Sequence, residues 1–286
     1  MTNNNQEHTP LIDLDQILIN KWGQIYQRIP TFLINWVKRL IHQDDINYLI
    51  RRIGLLKGGA AAKVILDELS VTYEVVGEDN IPLTASSSFT FVSNHPLGGL
   101  DGIAFIDYLG KKYNDKAKLL VNDILLNLKM FDNVFVPINK FGKQAKEGVR
   151  MINEAYSSEN PVFTFPAGIV SRMQKNGRIE DPKWTKNFIQ KSVENNRTII
   201  PVYFEGSNAP FFYRIERIRM MLGIKFNIGT LLLPKVLFKN RGSHFKIYIG
   251  KSIPCTTFDA SKTNEEWADW VKRNVYQLAS NNEWNK

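Results

Sequence analysis

The alternation of short apolar runs with amphipathic stretches constrains the fold of this chain more than any other feature. Seven runs typical of strands lie near residues 70–76, 88–93, 117–121, 133–138, 161–165, 198–204 and 244–249. Helical patterns separate most of these runs, and the clearest lie at residues 102–113, 141–157, 184–195, 210–222 and 263–280. This alternation predicts an α/β fold with a mostly parallel central sheet flanked by helices. No composition break marks a second domain in the 286 residues, so we expect a single α/β domain over residues 67–286.

The N-terminal part of the chain departs from this alternation. The polar residues 1–11 predict a disordered tail, and residues 12–66 predict an amphipathic helical arm that precedes the sheet. In the arm, Leu33, Trp36 and Leu40 share one helical stripe, whereas Lys38 and Arg39 lie on the other. A helix over residues 31–42 with this pattern can lie at a lipid interface or pack against the protein core, and the pattern favours neither.

Composition indicates where the chain works. Its one cysteine, Cys255, excludes an intrachain disulfide and fits a reducing compartment. The sequence contains neither a cationic-then-apolar signal segment nor an apolar run of the roughly 20 residues that span a bilayer. We therefore expect a cytoplasmic protein that is peripheral on the inner face of the membrane.

The net charge of +9 is concentrated in one region. Residues 208–251 contain nine lysines and arginines and a single acid, Glu216. Such a region attracts phosphate-bearing partners, which include an anionic membrane surface, coenzyme A (CoA), an acyl carrier protein and nucleic acid. A merely solubilising face is the alternative. Because the cations alternate with apolar residues and no nucleic-acid-binding motif is present, we expect no nucleic acid among the partners.

One histidine of the four, His95, both follows a strand-like run and has an acidic residue close behind it. Gly98 and Gly99 allow a tight turn, so Asp101 can reach one imidazole nitrogen and leave the other free to accept a proton. The structural alternative is that Asp101 caps a helix beginning at Gly102 and His95 is simply buried. No G-x-S-x-G motif is present, which favours general-base catalysis over a covalent enzyme intermediate. No cysteine or second histidine lies at metal-ligand spacing, so we expect no metal.

Three further strand ends carry polar or unusual residues. A Pro-x-Gly turn at Phe165-Pro166-Ala167-Gly168 exposes backbone N–H groups, and Ser171 and Arg172 beyond it could hold an anion or an oxyanion. An ordinary strand-to-loop turn is the alternative. Lys140 follows the run 133–138, where a lone lysine is usually solvated. Pro201 interrupts the run 198–204 and indicates a sheet edge, a bulge or a position lining a site.

Taken in order, four of these stretches resemble the conserved blocks of the glycerolipid acyltransferase superfamily, the 1-acylglycerol-3-phosphate type. They are Asn94-His95…Asp101, Ile138-Asn139-Lys140, Phe165-Pro166-Ala167-Gly168 and Ile200-Pro201-Val202, and they cover about residues 88–206. The motif Asn-His-Pro-x-Gly-x-x-Asp-Gly is closer to that of a bacterial subgroup that O-acylates lyso-ornithine or lyso-glycine lipids.

The resemblance implies an acyltransferase in which His95, oriented by Asp101, is the general base. It implies a substrate site formed by Asn94, Gly98, Lys140, Phe165, Pro166, Gly168, Ser171, Arg172 and Pro201, with backbone N–H groups near Gly98 or Gly168 at the oxyanion. It also implies that no cofactor is bound, that acyl-carrier-protein (acyl-ACP) or acyl-CoA thioester is the co-substrate, and that a lyso-lipid is the acceptor.

Three departures from the superfamily pattern bear on the acceptor. Five residues rather than four separate His95 from Asp101, as in the lyso-aminolipid subgroup. Ala167 occupies the position at which the superfamily normally has a glutamate that holds a hydroxyl group of glycerol phosphate. Lys140 replaces an arginine and loses the bidentate fork that suits phosphate. We therefore expect a lyso-aminolipid acceptor. The alternatives are a lysophosphatidate or lysophospholipid acyltransferase, and a non-catalytic module that binds lipid or acyl carrier protein.

Overall fold

The computed structural model describes residues 11–83, 88–138, 144–174, 177–221 and 228–283. The N-terminal part consists of helices α1 (Leu14–Trp22), α2 (Thr31–Leu40), α3 (Gln43–Ile53) and α4 (Gly58–Glu68), with a 3₁₀ helix at Gly23–Arg28. Then follow β1 (Thr72–Val76), β2 (Phe89–Ser93), α5 (Gly99–Tyr113), β3 (Lys118–Val121), β4 (Phe135–Pro137), α6 (Gln144–Ser157) and β5 (Val162–Thr164). The remainder comprises β6 (Arg172–Met173), β7 (Ile179–Glu180), α7 (Asn187–Glu194), β8 (Thr198–Phe204), α8 (Pro210–Met221), α9 (Ile228–Lys239), β9 (His244–Ile249) and α10 (Asn264–Glu283). Single-turn 3₁₀ segments lie at Glu78–Asn80, Asp123–Asn127, Lys129–Phe131 and Cys255–Thr257.

The central sheet has seven strands in the order β1-β9-β8-β2-β5-β3-β4. Its ladders are parallel except for the β8–β9 pair, which is antiparallel. The seven strands coincide with the seven apolar runs of the sequence, so the α/β fold with a mostly parallel sheet is confirmed. The separate hairpin β6–β7 was not expected, because strands of two residues leave no periodic pattern. Helix α9 was also missed, because its sequence is apolar at most positions and lacks amphipathic contrast.

Strand β2 lies near the centre of this sheet, between β8 and β5, and is buried along its whole length. Side chains around Phe91 and Phe105 form the main core between the sheet and α5. On the outer side of α5, helix α4 approaches so closely that a Cβ added at Gly110 would lie 2.8 Å from the Gly59 Cα atom. Glycine at both positions therefore makes this contact possible. The domain division at residue 67 stays a prediction. Helix α4, which belongs almost entirely to the predicted N-terminal arm, packs directly on α5 of the α/β domain.

Pro201 lies in the interior of the sheet, because β8 is flanked by β2 and β9. The register between β8 and β9 shifts by one residue between the Val202–Ile249 pair and the Ile199–Ile253 bridge. This shift is a bulge, which leaves the Pro201 nitrogen opposite an irregular segment where no ladder hydrogen bond is required. The bulge is therefore observed and the sheet-edge interpretation is wrong, whereas the position of Pro201 in the lining of the site stays a prediction.

Helix α2 is only partly packed against the protein. Ile34 is buried, whereas Phe32 is 70% and Trp36 is 60% exposed, and Leu33 is exposed beside them. None of the helices within the described residues is long and apolar enough to cross a membrane. The predicted disordered tail falls almost entirely in residues 1–10, and Lys140 falls in residues 139–143; both ranges lie outside the described residues.

Candidate active site

The candidate site lies at the carboxyl end of β2, where the chain leaves the buried sheet and enters α5. The Nδ1 atom of His95 is 2.9 Å and 3.0 Å from the two carboxylate oxygens of Asp101. Gly98, with φ of 69°, turns the chain so that α5 begins at Gly99, three residues earlier than expected. Asp101 thereby lies in the first turn of the helix, where the helix dipole favours a negative charge.

The hydrogen bonds to Asp101 fix the direction of its contact with His95. The carboxylate is fully buried and also accepts hydrogen bonds from the backbone N–H groups of Leu97, at 3.0 Å, and Gly102, at 2.9 Å. With an ionised Asp101, Nδ1 of His95 is the donor, and Nε2 carries the lone pair. The described part of the chain provides no hydrogen-bond partner for Nε2, and the His95 side chain is 18% exposed. The geometry therefore suits proton abstraction at Nε2, and Asp101 serves the helix end at the same time.

The face of the imidazole is supported by Phe165. The two rings stack with centroids 3.9 Å apart and an angle of 20° between their planes. This contact brings the residue after β5 to the histidine after β2, as neighbouring parallel strands allow. Beyond Phe165 the chain turns at Gly168, whose N–H group donates to the Phe165 carbonyl at 2.9 Å. That N–H group is thus used within the turn rather than directed at an oxyanion.

Gly98 and Gly99 offer a different source of oxyanion donors. Both precede the first intrahelical hydrogen bonds of α5, and their N–H groups donate to no acceptor in the portion of the chain that is described. They lie three and four residues from His95. A helix N-terminus with unused N–H groups can stabilise a developing negative charge.

Three of the expected substrate-site residues have protein partners. The side-chain amide of Asn94 bridges to the backbone of Phe204 on β8 through two hydrogen bonds, of 2.7 and 2.9 Å. The carbonyl of Pro166 accepts hydrogen bonds from the backbone and hydroxyl of Thr185. The Ser171 hydroxyl is buried and donates to Asp181 at 2.6 Å. Their roles toward substrate stay predictions.

Arg172 is directed away from solvent. Its Nε atom is 3.3 Å from Glu216 on α8, and its guanidinium lies 4.9 Å from the centre of the Phe212 ring. Both members of the ion pair are largely buried, so the Arg172 charge is balanced within the protein. Neutralisation of substrate charge by Arg172 stays a prediction. Lys140 cannot be compared, since it lies outside the described residues.

Sequence reasoning missed Asp181. This buried carboxylate accepts a hydrogen bond from the His95 backbone N–H at 3.1 Å and from the Trp184 indole at 2.9 Å. Burial raises the pKa of the Asp181 carboxyl, and the hydrogen bonds from Ser171 and Trp184 oppose that rise. Nothing in the sequence relates Asp181 to a histidine 86 residues earlier, because the contact exists only in the folded chain. Within the described residues, no group of three His, Cys, Asp or Glu side chains could hold a metal ion.

Comparison with known proteins gives a consistent result. Residues 16–283 match the protein family described as Acyltransferase. A relative from Bacteroides thetaiotaomicron, named lyso-glycine lipid O-acyltransferase, is 44% identical over 94% of this chain and 97% of its own length. A relative of the same name from Phocaeicola vulgatus is 42% identical over 94% of this chain and 95% of its own.

Among solved structures, the chain is similar to the 1-acyl-sn-glycerophosphate (LPA) acyltransferase, PlsC, from Thermotoga maritima. The identity is 14% and the TM-score is 0.47, with 85% of this chain and 95% of that chain covered.

Proposed function

The chain belongs to the acyltransferase family, and from this membership we propose that it moves a fatty acyl group from an acyl thioester to the hydroxyl group of a lyso-lipid, specifically a lyso-aminolipid of the lyso-glycine class. The observation that carries the chemistry is the His95–Asp101 pair, with Nδ1 bonded to a buried carboxylate and Nε2 left to accept a proton.

In the proposed mechanism, Nε2 of His95 removes the proton of the acceptor hydroxyl as the oxygen attacks the thioester carbonyl. Asp101 stabilises the imidazolium that forms and holds the ring in the required tautomer. The N–H groups of Gly98 and Gly99 donate to the tetrahedral oxyanion, a contribution typically worth about 3 kcal/mol. The intermediate then expels the thiolate of CoA or of the carrier protein, and the imidazolium returns its proton to that sulfur.

The lyso-aminolipid acceptor is supported by the relatives' name and by the surroundings of Ala167. This side chain packs beside the buried cluster that contains Trp184 and Val92. Position 167 thus supplies no carboxylate to a glycerol phosphate, and its side chain packs against an apolar cluster. We retain Lys140 as the proposed contact for negative charge on the acceptor or donor.

The exposed part of α2 supports an acceptor that arrives from a membrane. Phe32, Leu33 and Trp36 lie on one side of the helix, where they line a shallow concave surface with Arg39. One turn after Trp36, Leu40 packs against the buried cluster of Val170, Phe212, Tyr213 and Val236, whose members come from the loop after Phe165, from α8 and from α9. The exposed apolar surface is therefore connected through this cluster to the loop that begins at Phe165. We propose that α2 contacts the inner face of an anionic membrane, from which a lyso-lipid reaches the site without crossing water.

The basic region at residues 208–251 is the proposed contact for the acyl donor or for lipid phosphates. Arg214 and Arg217 of α8 are exposed, and the ammonium groups of Lys235 and Lys239 lie about the Phe211 ring, at 5.1 and 4.9 Å. A cationic surface of this kind suits the phosphates of CoA, the acidic surface of a carrier protein and anionic headgroups alike.

Acyl transfer by the purified protein tests the function. A labelled acyl-CoA or acyl-ACP is incubated with lyso-glycine lipid and, separately, with lysophosphatidate. We expect labelled diacylated glycine lipid from the wild type and none from His95→Gln. Preference for lysophosphatidate would refute the acceptor assignment, and equal product from His95→Gln would refute the mechanism. A protein that binds these lipids without turnover would be the non-catalytic module.

Sedimentation with phosphatidylglycerol vesicles tests the membrane contact. The double variant Phe32→Ser, Trp36→Ser should bind several-fold more weakly than the wild type, because two large apolar side chains no longer enter the interface. Val149→Ser on α6, which removes an apolar side chain that is 54% exposed, is the matched control and should bind like the wild type. Equal binding by all three proteins would exclude α2 as the contact.

A further inference from the structure

The backbone of the histidine segment is held by two carboxylates that are far apart in the sequence. Within His95-Pro96-Leu97, the N–H of His95 donates to Asp181 and the N–H of Leu97 donates to Asp101. Pro96 has no N–H group. Each backbone donor of this segment therefore ends on a buried carboxylate, and Asp101 additionally holds the ring.

Asp181 and its hydrogen-bonded partner Ser171 together bind both backbone polar groups of His95. Its Oδ1 atom accepts from the His95 N–H and from the Ser171 hydroxyl, while the Ser171 N–H donates to the His95 carbonyl at 2.8 Å. The other oxygen accepts from the Trp184 indole. The N–H groups of His95 and Trp184 can only donate, so both carboxyl oxygens of Asp181 serve as acceptors in this set.

Asp181 is itself fixed by the C-terminal helix. Its backbone N–H donates to the Tyr276 hydroxyl of α10 at 2.8 Å, and its carbonyl accepts from the Lys272 ammonium at 2.6 Å. Tyr276 is in turn packed against Tyr203 of β8. A continuous chain of hydrogen bonds thus runs from α10 through Asp181 to the main chain of His95.

From this arrangement we propose that Asp181, anchored by Tyr276, is a positioning residue for His95 and sets how far Nε2 reaches toward the acceptor hydroxyl. This inference rests on the proposed role of His95 as general base. Asp181 does not touch the substrate. It acts because a general base is effective only within hydrogen-bond distance of the proton that it removes, so a small displacement of the His95 main chain lowers kcat.

The test compares Asp181→Asn, Ser171→Ala and Tyr276→Phe with the wild type. Displacement of the base predicts a kcat lowered by about 100-fold in Asp181→Asn and by about 10-fold in the two milder variants, with the KM for lyso-lipid unchanged within twofold. Tyr108→Phe is the matched control, since it also removes a tyrosine hydroxyl. Tyr108 lies on α5 about two turns after Asp101, and its hydroxyl donates to Glu78. We expect its kcat to stay within twofold of the wild type.

A second readout does not depend on turnover. In the NMR spectrum, the Nδ1 proton of His95 is identified by its loss in His95→Gln, and its resonance reports the contact with Asp101. We expect this resonance to shift or broaden in Asp181→Asn and Tyr276→Phe but not in Tyr108→Phe. Folded Asp181→Asn and Tyr276→Phe proteins with wild-type kcat and an unmoved resonance would overturn the inference. A wild type that acylates no lyso-lipid would refute the proposed function instead, and the resonance would still test Asp181.

Discussion

Replacing Asp101 with asparagine changes one buried oxygen to an NH₂ group and leaves the shape of the side chain almost unaltered. Each carboxylate oxygen accepts from the His95 Nδ1 atom and from one backbone N–H, that of Leu97 for Oδ2 and that of Gly102 for Oδ1. Whichever way the amide is oriented, its NH₂ group faces one of these backbone donors. The variant therefore leaves a buried N–H unsatisfied, which lowers the free energy of unfolding by about 1–3 kcal/mol.

The effect on catalysis should be much larger than the effect on stability. An NH₂ group 3.0 Å from Nδ1 favours the imidazole tautomer that accepts at Nδ1 and carries its proton on Nε2. That tautomer cannot remove a proton from the acceptor hydroxyl. By analogy with aspartate-to-asparagine changes in catalytic triads, we expect kcat to fall by about 10⁴-fold, which corresponds to about 5.5 kcal/mol of transition-state stabilisation.

The assay is single-turnover acyl transfer with labelled thioester, at a temperature well below the Tm of the variant measured by circular dichroism. His95→Gln and the double variant His95→Gln, Asp101→Asn complete the set. If Asp101 acts through His95, the double variant is no slower than His95→Gln alone. Retention of more than about a tenth of the wild-type kcat by folded Asp101→Asn would refute the tautomer argument. Additive losses in the double variant would refute the coupling.

Three further substitutions test the structure around the site by thermal and denaturant unfolding. Gly110→Ala should destabilise the protein by about 1–3 kcal/mol, because its Cβ would lie 2.8 Å from the Gly59 Cα atom, and an unchanged Tm would contradict the close approach. Arg197 is fully buried and donates to four backbone carbonyls, and burial lowers its pKa to about 10. Arg197→Met should therefore lower the free energy of unfolding by about 3 kcal/mol or more. A loss below about 1 kcal/mol would show that other groups replace these hydrogen bonds. Arg172→Ala should cost about 3 kcal/mol, because the buried Glu216 carboxylate loses its ion pair with Arg172. The double variant Arg172→Met, Glu216→Leu should be more stable than Arg172→Ala, and the reverse order would indicate another role for the pair.

The parts of the molecule that could be predicted from the sequence are those set by local pattern. The seven strands follow from apolar runs of suitable length. The contact of His95 with Asp101 follows from their separation of six positions, with a turn at Gly98 and Gly99 between them. The start of α5 was placed three residues late, since Gly98 and Gly99 suggested a loop. Gly98 adopts the positive φ of a cap, but Gly99 is already helical, and this difference depends on how the turn packs rather than on residue type.

The polar contacts that support the site could not be predicted, because their partners are far apart in sequence. Asn94 bonds to the backbone of Phe204, 110 residues later, and Arg172 pairs with Glu216 on another helix. Both read in the sequence as candidates for substrate contact. A polar side chain near a strand end can contact a ligand, a distant part of the protein or both, and the partners of these two side chains within the protein depend on how β2, β8 and α8 pack.

Asp101 is not the cap of a helix beginning at Gly102, because α5 begins at Gly99 and its N-cap is Gly98. As an acid in the first turn of α5, Asp101 nevertheless combines a helix-stabilising role with contact to His95, because both need the same property. The first turn of α5 favours an anion beside its N–H groups, and an imidazole base needs an anion at Nδ1. One buried carboxylate meets both needs, since it accepts from Gly102, Leu97 and His95 together. It follows that the stability of variants at this position cannot separate the two roles. The two roles are separated by testing whether the effect of an Asp101 substitution depends on the presence of His95, because an acid that stabilises the first helical turn does not need an imidazole.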